Sequence, residues 1–316
     1  MSDKNLMMSG SNLERVLKAG HFAVTCECGP PKGADLEYLQ NKIDLIRGCV
    51  DAANVTDNQT AVVRMSSIAA SAILARNGIE PVMQMVTRDR NRIAAQSDLF
   101  GAYALGIRNM LCLTGDHQSF GNHPMAKNVF DLDSIQLLDI VRTIRDMGAL
   151  NNGDQVQGGI KMFLGAAANP FADPFEFRVI RLAKKIRAGA DFIQTQCIYD
   201  MGRFREFMKM ACDMGLDKQC FILAGLTPLK SGGMAAYMNR NVAGITIPDA
   251  IIQRIRGVPR GQQGEEGIRL LLEQIQEVRE IPGVAGVHIM AIEWEEKVRE
   301  ITERAGLLPR PAEAGD

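Results

Sequence analysis

Short apolar runs alternate with segments of helical periodicity along nearly the whole chain, and this alternation limits the possible folds more than any other sequence feature. The runs are typical of parallel strands covered on both faces and span residues 22–28, 52–57, 80–86, 108–114, 160–165, 191–197, 220–226 and 286–292. Most begin at steps of roughly 30 residues, which suits a repeating βα unit. Eight such units predict an α/β protein, a single-domain (β/α)8 TIM barrel over residues 1–308. Residues 309–316 are predicted to form a disordered tail.

The alternative to a barrel is a six-strand doubly wound sheet with a second domain. No Gly-x-Gly-x-x-Gly follows any of the strand-like runs, so the dinucleotide-binding form of that fold has no support. Asp173 and Pro174 offer an N-cap and a first-turn proline for the helix that precedes the sixth run. These observations favour the barrel.

Charge and composition exclude several classes of partner. The chain has 36 Lys and Arg residues against 37 Asp and Glu residues, a net charge of −1, so nucleic acid is not expected as a partner. The start of the chain is polar, and no apolar run reaches the length of about 18 residues that a membrane helix needs. The seven cysteines contain no C-x-x-C pair. We expect a cytoplasmic protein without a membrane or metal partner.

Glu27 lies between Cys26 and Cys28 in the first run, so strand alternation places its carboxylate on the opposite side from the two thiols. A carboxylate inside an apolar strand is costly unless it is paired, protonated or used in chemistry. A buried ion pair and a general acid with a raised pKa are both compatible with this pattern. The thiols are interpreted as core residues, with a metal or redox site as the alternative.

The C-terminal ends of the strands form the active site of a (β/α)8 barrel. The other residues at or near the ends of the runs are Thr56, Gly115, Asp116, Ala167, Ala168 and Gln196. Asp116 is equally typical of a turn cap, and Gln196 suits either an interior amide or a ligand contact. Lys184 and Lys185 are typical of a solvated helix end.

Four motifs, in order along the chain, resemble those of the methylenetetrahydrofolate reductase family. They are VTCECGPPK from residue 24, LTGD from residue 113, AGADFIQTQCIYD from residue 188 and LAGLTPL from residue 223. Each is short, but they lie in order across most of the chain. The resemblance implies a flavin-carrying (β/α)8 barrel and is closest to the short form that lacks a C-terminal regulatory domain.

The resemblance also implies a reaction and a role for each matching residue. Glu27 would be the general acid that opens the folate ring, so that reduced flavin can convert 5,10-methylenetetrahydrofolate to 5-methyltetrahydrofolate. Asp116 would act in catalysis and contact the pterin, and Gln196 would contact the folate. FAD is the implied cofactor, with FMN as the alternative. The implied cofactor contacts are Thr56, Gly115, Asp116, Ala167, Ala168, Lys184 and Lys185.

The sequence departs from the family pattern at several positions. Asp57 follows Thr56, Thr114 replaces an Arg, and Val82 replaces a His. Glu293 and Trp294 stand where the final strand motif has Asn-Arg. These changes weaken the expectation of NAD(P)H binding more than that of folate or flavin binding.

The electron source is therefore expected to be either NAD(P)H or an iron–sulfur partner subunit, as in family members from some anaerobes. A homo-oligomer is also expected. Two other functions compete with the reductase hypothesis. They are a flavin-free pterin-binding barrel of methyltransferase type and a non-catalytic subunit of an electron-transfer complex.

Overall fold

Eight parallel strands close into a barrel in the order β1 to β8, with β8 returning to pair with β1. The structure is a computed structural model and describes residues 7–242 and 244–311 of the 316-residue chain. The strands are β1 (Ala23–Glu27), β2 (Ala52–Val55), β3 (Pro81–Val86), β4 (Asn109–Leu113), β5 (Phe163–Ala168), β6 (Phe192–Cys197), β7 (Phe221–Leu226) and β8 (Val284–Ile289). The predicted (β/α)8 TIM barrel is confirmed.

Helices cover the outside of the barrel between successive strands. In the described residues they are α1 (Asn12–Lys18), α2 (Leu36–Ile46), α3 (Ser67–Arg76), α4 (Arg92–Ala104), α5 (Ser134–Met147), α6 (Glu176–Ala188), α7 (Met201–Asp213), α8 (Gly232–Asn241), α9 (Asp249–Arg256), α10 (Gln263–Arg279) and α11 (Lys297–Arg304). Leu13, Val16 and Leu17 of α1 pack against residues inside the barrel and close the end where the strands begin. The additional helices α8 and α9 explain the long gap before the eighth strand.

Two strands and one helix differ from the sequence prediction. β5 begins at Phe163 rather than at residue 160 and continues through Ala168, because its small residues pair with β6 beyond the apolar run. β8 begins at Val284, two residues before its predicted start. The predicted N-cap at Asp173 is wrong, since α6 begins at Glu176 and the Asp173–Pro174 peptide bond is cis.

A layer of uncharged polar side chains crosses the interior of the barrel above its apolar lower layer. The side chains of Asn54 and Gln194 exchange two hydrogen bonds, of 2.6 and 3.0 Å. The Gln194 amide also donates to the Thr25 hydroxyl, which lies 2.9 Å from Nδ1 of His288. Burial lowers the pKa of His288 to about 3, so the imidazole is neutral at physiological pH.

Arg310 lies in the segment predicted to be a disordered tail, yet its guanidinium forms an ion pair with Asp51, with Nη2 2.6 Å from Oδ2. Asp51 also accepts a hydrogen bond from the backbone N–H of Val24 in β1. The chain therefore makes specific contacts with the barrel as far as Arg310. Residues 312–316 of that segment lie outside the described residues.

The cysteines of β1 lie in the apolar layer between the barrel and its helices. Cys26 and Cys28 pack in the same cluster as Leu39 and Ile43 of α2. Burial raises the pKa of the Cys28 thiol to about 12, which keeps it protonated. Among the described residues, no helix combines the length and hydropathy that crossing a membrane would require.

Candidate functional site

Glu27 ends β1 and points toward the mouth of the barrel, away from the two buried thiols beside it. Its side chain is only partly exposed, and among the described residues its carboxylate has no hydrogen bond or ion pair. Burial raises its pKa to about 7, and the nearby Glu295 carboxylate adds to the rise, whereas Lys42 and Arg64 oppose it. A carboxylic acid of this kind can hold a proton near neutral pH and give it to a bound ligand.

Three polar atoms beside Glu27 are buried without any protein partner in the described part of the chain. They are Oγ1 of Thr56, Oε1 of Gln59 and Nε of Arg64. A Cβ added to Gly29 would lie 4.0 Å from Thr56 Oγ1 and 3.7 Å from Gln59 Oε1, so both atoms converge where the chain leaves β1. Unpartnered polar atoms are costly in a folded protein unless a ligand or water uses them.

The loop after β2 brings Gln59 and Arg64 to this position. Asn58, Thr60 and Ala61 all have positive φ, between 46° and 56°, which is uncommon for residues other than glycine. Such conformations persist only where the surroundings enforce them, and they concentrate at functional sites. Gln59 and Arg64 could not be predicted from the sequence, because a loop residue carries no periodic signal.

Asp116 fastens this loop to the loop after β4. Its carboxylate accepts a hydrogen bond from the backbone N–H of Thr60, and its carbonyl accepts one from Nη1 of Arg88 at 3.0 Å. Gly115 has a φ of 87°, and Val86 packs closely against it. Asp116 therefore lies exposed at the rim of the mouth, and its carboxylate accepts a hydrogen bond from the loop after β2.

Three of the departures from the family pattern have structural explanations. Asp57 is buried, pairs with Arg90 at 2.6 Å and accepts a hydrogen bond from the backbone N–H of Val86, so it anchors the end of β3. Val82 lies in the apolar lower layer of the barrel, far from the mouth along its strand. The Thr114 hydroxyl accepts a hydrogen bond from the backbone N–H of Ser134 at the start of α5.

A cavity of about 150 Å³ opens beside the ends of β5 and β6. Its lining includes Ala167, Ala168, Arg178, Arg181, Lys185 and Gln196. The Lys185 ammonium donates to the carbonyl of Ala167. Burial and the neighbouring Arg181 lower the pKa of Lys185 to about 8. This concentration of cations beside two small residues suits an anionic group such as a phosphate.

The two lysines of α6 that were both predicted to contact the cofactor point in different directions. Lys185 lines the cavity, whereas Lys184 is exposed and its Nζ lies 5.7 Å from the ring centroid of Phe177. Arg178 and Arg181 line the cavity and were missed by the sequence analysis. Their spacing from Lys185, seven and four residues, places all three on one helix face and was the available signal.

The mouth thus combines two groups of residues. One comprises Glu27, Thr56, Gly115 and Asp116 at or just after the ends of β1, β2 and β4. The other lines the cavity at Ala167, Ala168, Lys185 and Gln196. Gln196 is the exposed position of an otherwise buried β6. Of the residues that the sequence proposed for the site, Lys184 is the one directed elsewhere.

A family model and two sequence relatives agree on one family. A family model described as methylenetetrahydrofolate reductase matches residues 12–306. A Caenorhabditis elegans protein named probable methylenetetrahydrofolate reductase (NADPH) is 24% identical over 263 residues, 81% of this chain and 36% of that protein. Methylenetetrahydrofolate reductase 2 of Schizosaccharomyces pombe is 26% identical over 215 residues, 65% of this chain and 32% of that protein. The chain therefore spans about a third of the length of these relatives.

A solved structure shares the fold across almost the whole chain. It is an uncharacterized protein from Clostridium thermocellum, described as binding two copies of 5-methyl-5,6,7,8-tetrahydrofolic acid. The TM-score is 0.62 at 15% identity, and the match covers 94% of this chain and 100% of that one. At this identity the likeness establishes the barrel and leaves the ligand to be argued from the site.

Proposed function

This chain belongs to the methylenetetrahydrofolate reductase family, and from that premise we propose that it reduces 5,10-methylenetetrahydrofolate to 5-methyltetrahydrofolate with the help of a flavin. The observation that carries the proposal is the Glu27 carboxyl, which has a pKa of about 7 and no protein partner in the described residues. A group that can hold a proton at neutral pH at the mouth of a barrel suits a reaction that begins with protonation of an amine.

The residues of the cavity beside β5 and β6 fit a flavin nucleotide. Arg178, Arg181 and Lys185 supply three cations for phosphate groups, and Ala167 and Ala168 leave space where larger side chains would intrude. Three cations favour the diphosphate of FAD over the single phosphate of FMN. When bound, the reduced flavin would supply the hydride that the one-carbon unit needs.

The residues around Glu27 then have distinct roles in the proposed reaction. Glu27 donates its proton to a folate nitrogen, which breaks the five-membered ring and leaves a cationic carbon–nitrogen double bond ready for reduction. Asp116 accepts hydrogen bonds from the pterin at the rim, and Gln196 orients the folate from the opposite side. Thr56 and Gly115 would contact the ring system of a bound flavin. The unpartnered Thr56 hydroxyl supports that role.

For the electron source we propose an iron–sulfur partner subunit, with NAD(P)H as the alternative that the name of the C. elegans relative carries. The departures at Glu293 and Trp294 support the partner. Glu293 accepts a hydrogen bond from the Tyr38 hydroxyl at 3.0 Å, and the ring of Trp294 lies under the Lys230 ammonium, 5.6 Å from its centroid. An additional carboxylate at the mouth opposes binding of an anionic nucleotide. Rapid turnover of the purified chain with NADH or NADPH would contradict this choice.

The test of the proposed function is an anaerobic visible spectrum of photoreduced protein before and after addition of methylenetetrahydrofolate. Reoxidation of the flavin band on adding the folate is the expected result. A flavin that binds but stays reduced would favour a non-catalytic electron-transfer subunit. A protein that remains colourless after reconstitution with FAD and with FMN would favour the flavin-free pterin-binding barrel.

A further inference from the structure

A buried ion pair lies beside Glu27 and has no part in the reaction as described so far. Nζ of Lys42 on α2 is 2.6 Å from Oε1 of Glu295, which follows β8, and both side chains are only 7% exposed. Burial alone would lower the pKa of Lys42, but its hydrogen bonds to Glu295 and Tyr38 and the charge of Glu295 raise it above its usual value. Lys42 is therefore a cation that is held in an ion pair with Glu295.

The surroundings fix this pair in place. The Lys42 ammonium lies 4.7 Å from the ring centroid of Tyr38, and the Tyr38 hydroxyl donates to Glu293. Lys230 donates to the carbonyl of Glu293 at 2.7 Å, which restrains the loop that carries both glutamates. A restrained pair keeps its charges at fixed positions relative to the mouth.

Lys42 is close enough to the end of β1 to influence Glu27. A Cβ added to Gly29 would lie 4.0 Å from Nζ of Lys42. In this position a Lys42 ammonium without a carboxylate partner would stabilise the ionised form of Glu27 and lower its pKa. Glu295 instead holds Lys42, and the Glu295 carboxylate disfavours a second negative charge nearby.

We propose that Glu295, held by Lys42, is a positioning residue whose charge favours the protonated form of Glu27 before the folate binds. The inference rests on the proposed function, since it assigns a purpose to the proton on Glu27. Glu295 touches neither substrate nor cofactor in this scheme and acts only through the charge that it places beside Glu27. The raised pKa of Glu27, to which Glu295 contributes, supports the same arrangement.

The other ionisable groups around Glu27 belong to five segments of the chain. They are Cys26 and Cys28 on β1, Tyr38 and Lys42 on α2, Arg64 on the loop after β2, Cys197 on β6, and Glu293 and Glu295 after β8. The thiols are buried and protonated, and Arg64 is permanently charged. A substitution that removes the Glu295 charge is therefore the most direct way to change the pKa of Glu27.

The test is a ¹³C NMR titration of the Glu27 carboxyl in the flavin-loaded, folate-free protein, with the signal assigned by its loss in Glu27→Gln. We expect Glu295→Gln to lower the Glu27 midpoint by about one pH unit. Lys42→Met should raise the midpoint, because the opposing cation is gone. Glu295→Asp keeps the charge, so its Glu27 midpoint should be close to that of the wild type. This result would show that the shift in Glu295→Gln comes from the lost charge and not from a folding defect.

Glu296→Gln is the matched control, because Glu296 is the exposed neighbour of Glu295 and solvent screens its charge. Its Glu27 midpoint should equal that of the wild type. In turnover, Glu295→Gln should shift the pH profile of kcat downward by the same amount and leave the KM for the folate unchanged.

A Glu27 midpoint that stays unchanged in Glu295→Gln, or that moves equally in Glu296→Gln, would overturn the inference. The NMR result needs no turnover, so the two proposals can fail separately. A shifted midpoint in a protein that never reduces methylenetetrahydrofolate would contradict the proposed function alone. An unshifted midpoint in an active reductase would contradict the role of Glu295 alone.

Discussion

The carboxylate of Asp116 accepts a hydrogen bond from the backbone N–H of Thr60 at 3.1 Å, and this contact joins the loops that follow β2 and β4. The loops also meet where Gly121 lies against Ala61. Their junction brings the loop that carries Gln59 and Arg64 against the loop that carries Asp116. The binding surface therefore depends on two loops that are remote in sequence.

Gly121→Ala should separate these loops. The new Cβ would lie 1.8 Å from the carbonyl oxygen of Ala61, so the backbone must move and the Asp116–Thr60 bond is lost. We expect the KM for methylenetetrahydrofolate to rise about tenfold, since one or two hydrogen bonds of the site are lost. Steady-state kinetics would measure the change. Gly33→Ala is the control, because a Cβ at Gly33 meets nothing within 4 Å, and an equal effect there would refute the explanation.

Glu27→Gln should slow reduction of methylenetetrahydrofolate by roughly 10²-fold or more, the usual loss when a general acid is removed. Flavin binding and flavin oxidation by other acceptors should persist, because glutamine preserves the size of the side chain. Stopped-flow reoxidation of the reduced flavin measures both activities. Glu37→Gln on the exposed face of α2 should behave as the wild type. A parallel loss of both activities in Glu27→Gln would instead indicate a structural role.

The pH dependence of folate reduction should report the Glu27 carboxyl. Because the protonated form is the active one and the pKa is about 7, the rate should be constant well below pH 7 and decline above it. The decline should approach tenfold per pH unit. Single-turnover rates measured at intervals of about half a pH unit between about pH 5.5 and 9 would show this decline. The decline should be absent in Glu27→Gln, and its persistence there would assign it to another group.

Lys185→Met should weaken binding of the flavin by about 10- to 100-fold, since a charge-assisted hydrogen bond contributes roughly 1.5–3 kcal/mol. Lys184→Met should leave the affinity unchanged, because Lys184 is exposed and directed toward Phe177. Flavin titration followed by fluorescence compares the two variants. Wild-type affinity should also fall above pH 8, where Lys185 loses its proton. Equal losses in both variants would contradict the position of the cavity.

Asp57→Asn should destabilise the fold by about 1–3 kcal/mol, because it removes the more buried of the two carboxylates that pair with Arg90 and leaves Asp98 as its partner. Asp131→Asn removes an ion pair with Arg92 at the surface and should cost far less, because solvent screens both charges. Urea denaturation of both variants measures the difference. Similar losses of unfolding free energy would show that the Asp57–Arg90 pair is not the anchor of the loop after β3.

The barrel could be predicted from the sequence because parallel strands covered on both faces leave continuous apolar runs. Glu27 could be found because it interrupts such a run. Lys42 and Glu295 could not be paired, since they lie 253 residues apart and meet only when β8 closes against β1. Lys184 and Lys185 could not be separated by composition, because adjacent helical residues differ only in the direction of their side chains. Cytoplasmic location and homo-oligomerisation stay predictions.

The uncharged layer formed by Thr25, Asn54, Gln194 and His288 gives the mouth a floor without ionic charge. Since His288 stays neutral at physiological pH, the electric field on a bound ligand originates in the loops around the rim. Substitutions in those loops can therefore retune the chemistry without repacking the barrel interior. The fold therefore separates the interior that supports the barrel from the loops that set the charge around a ligand.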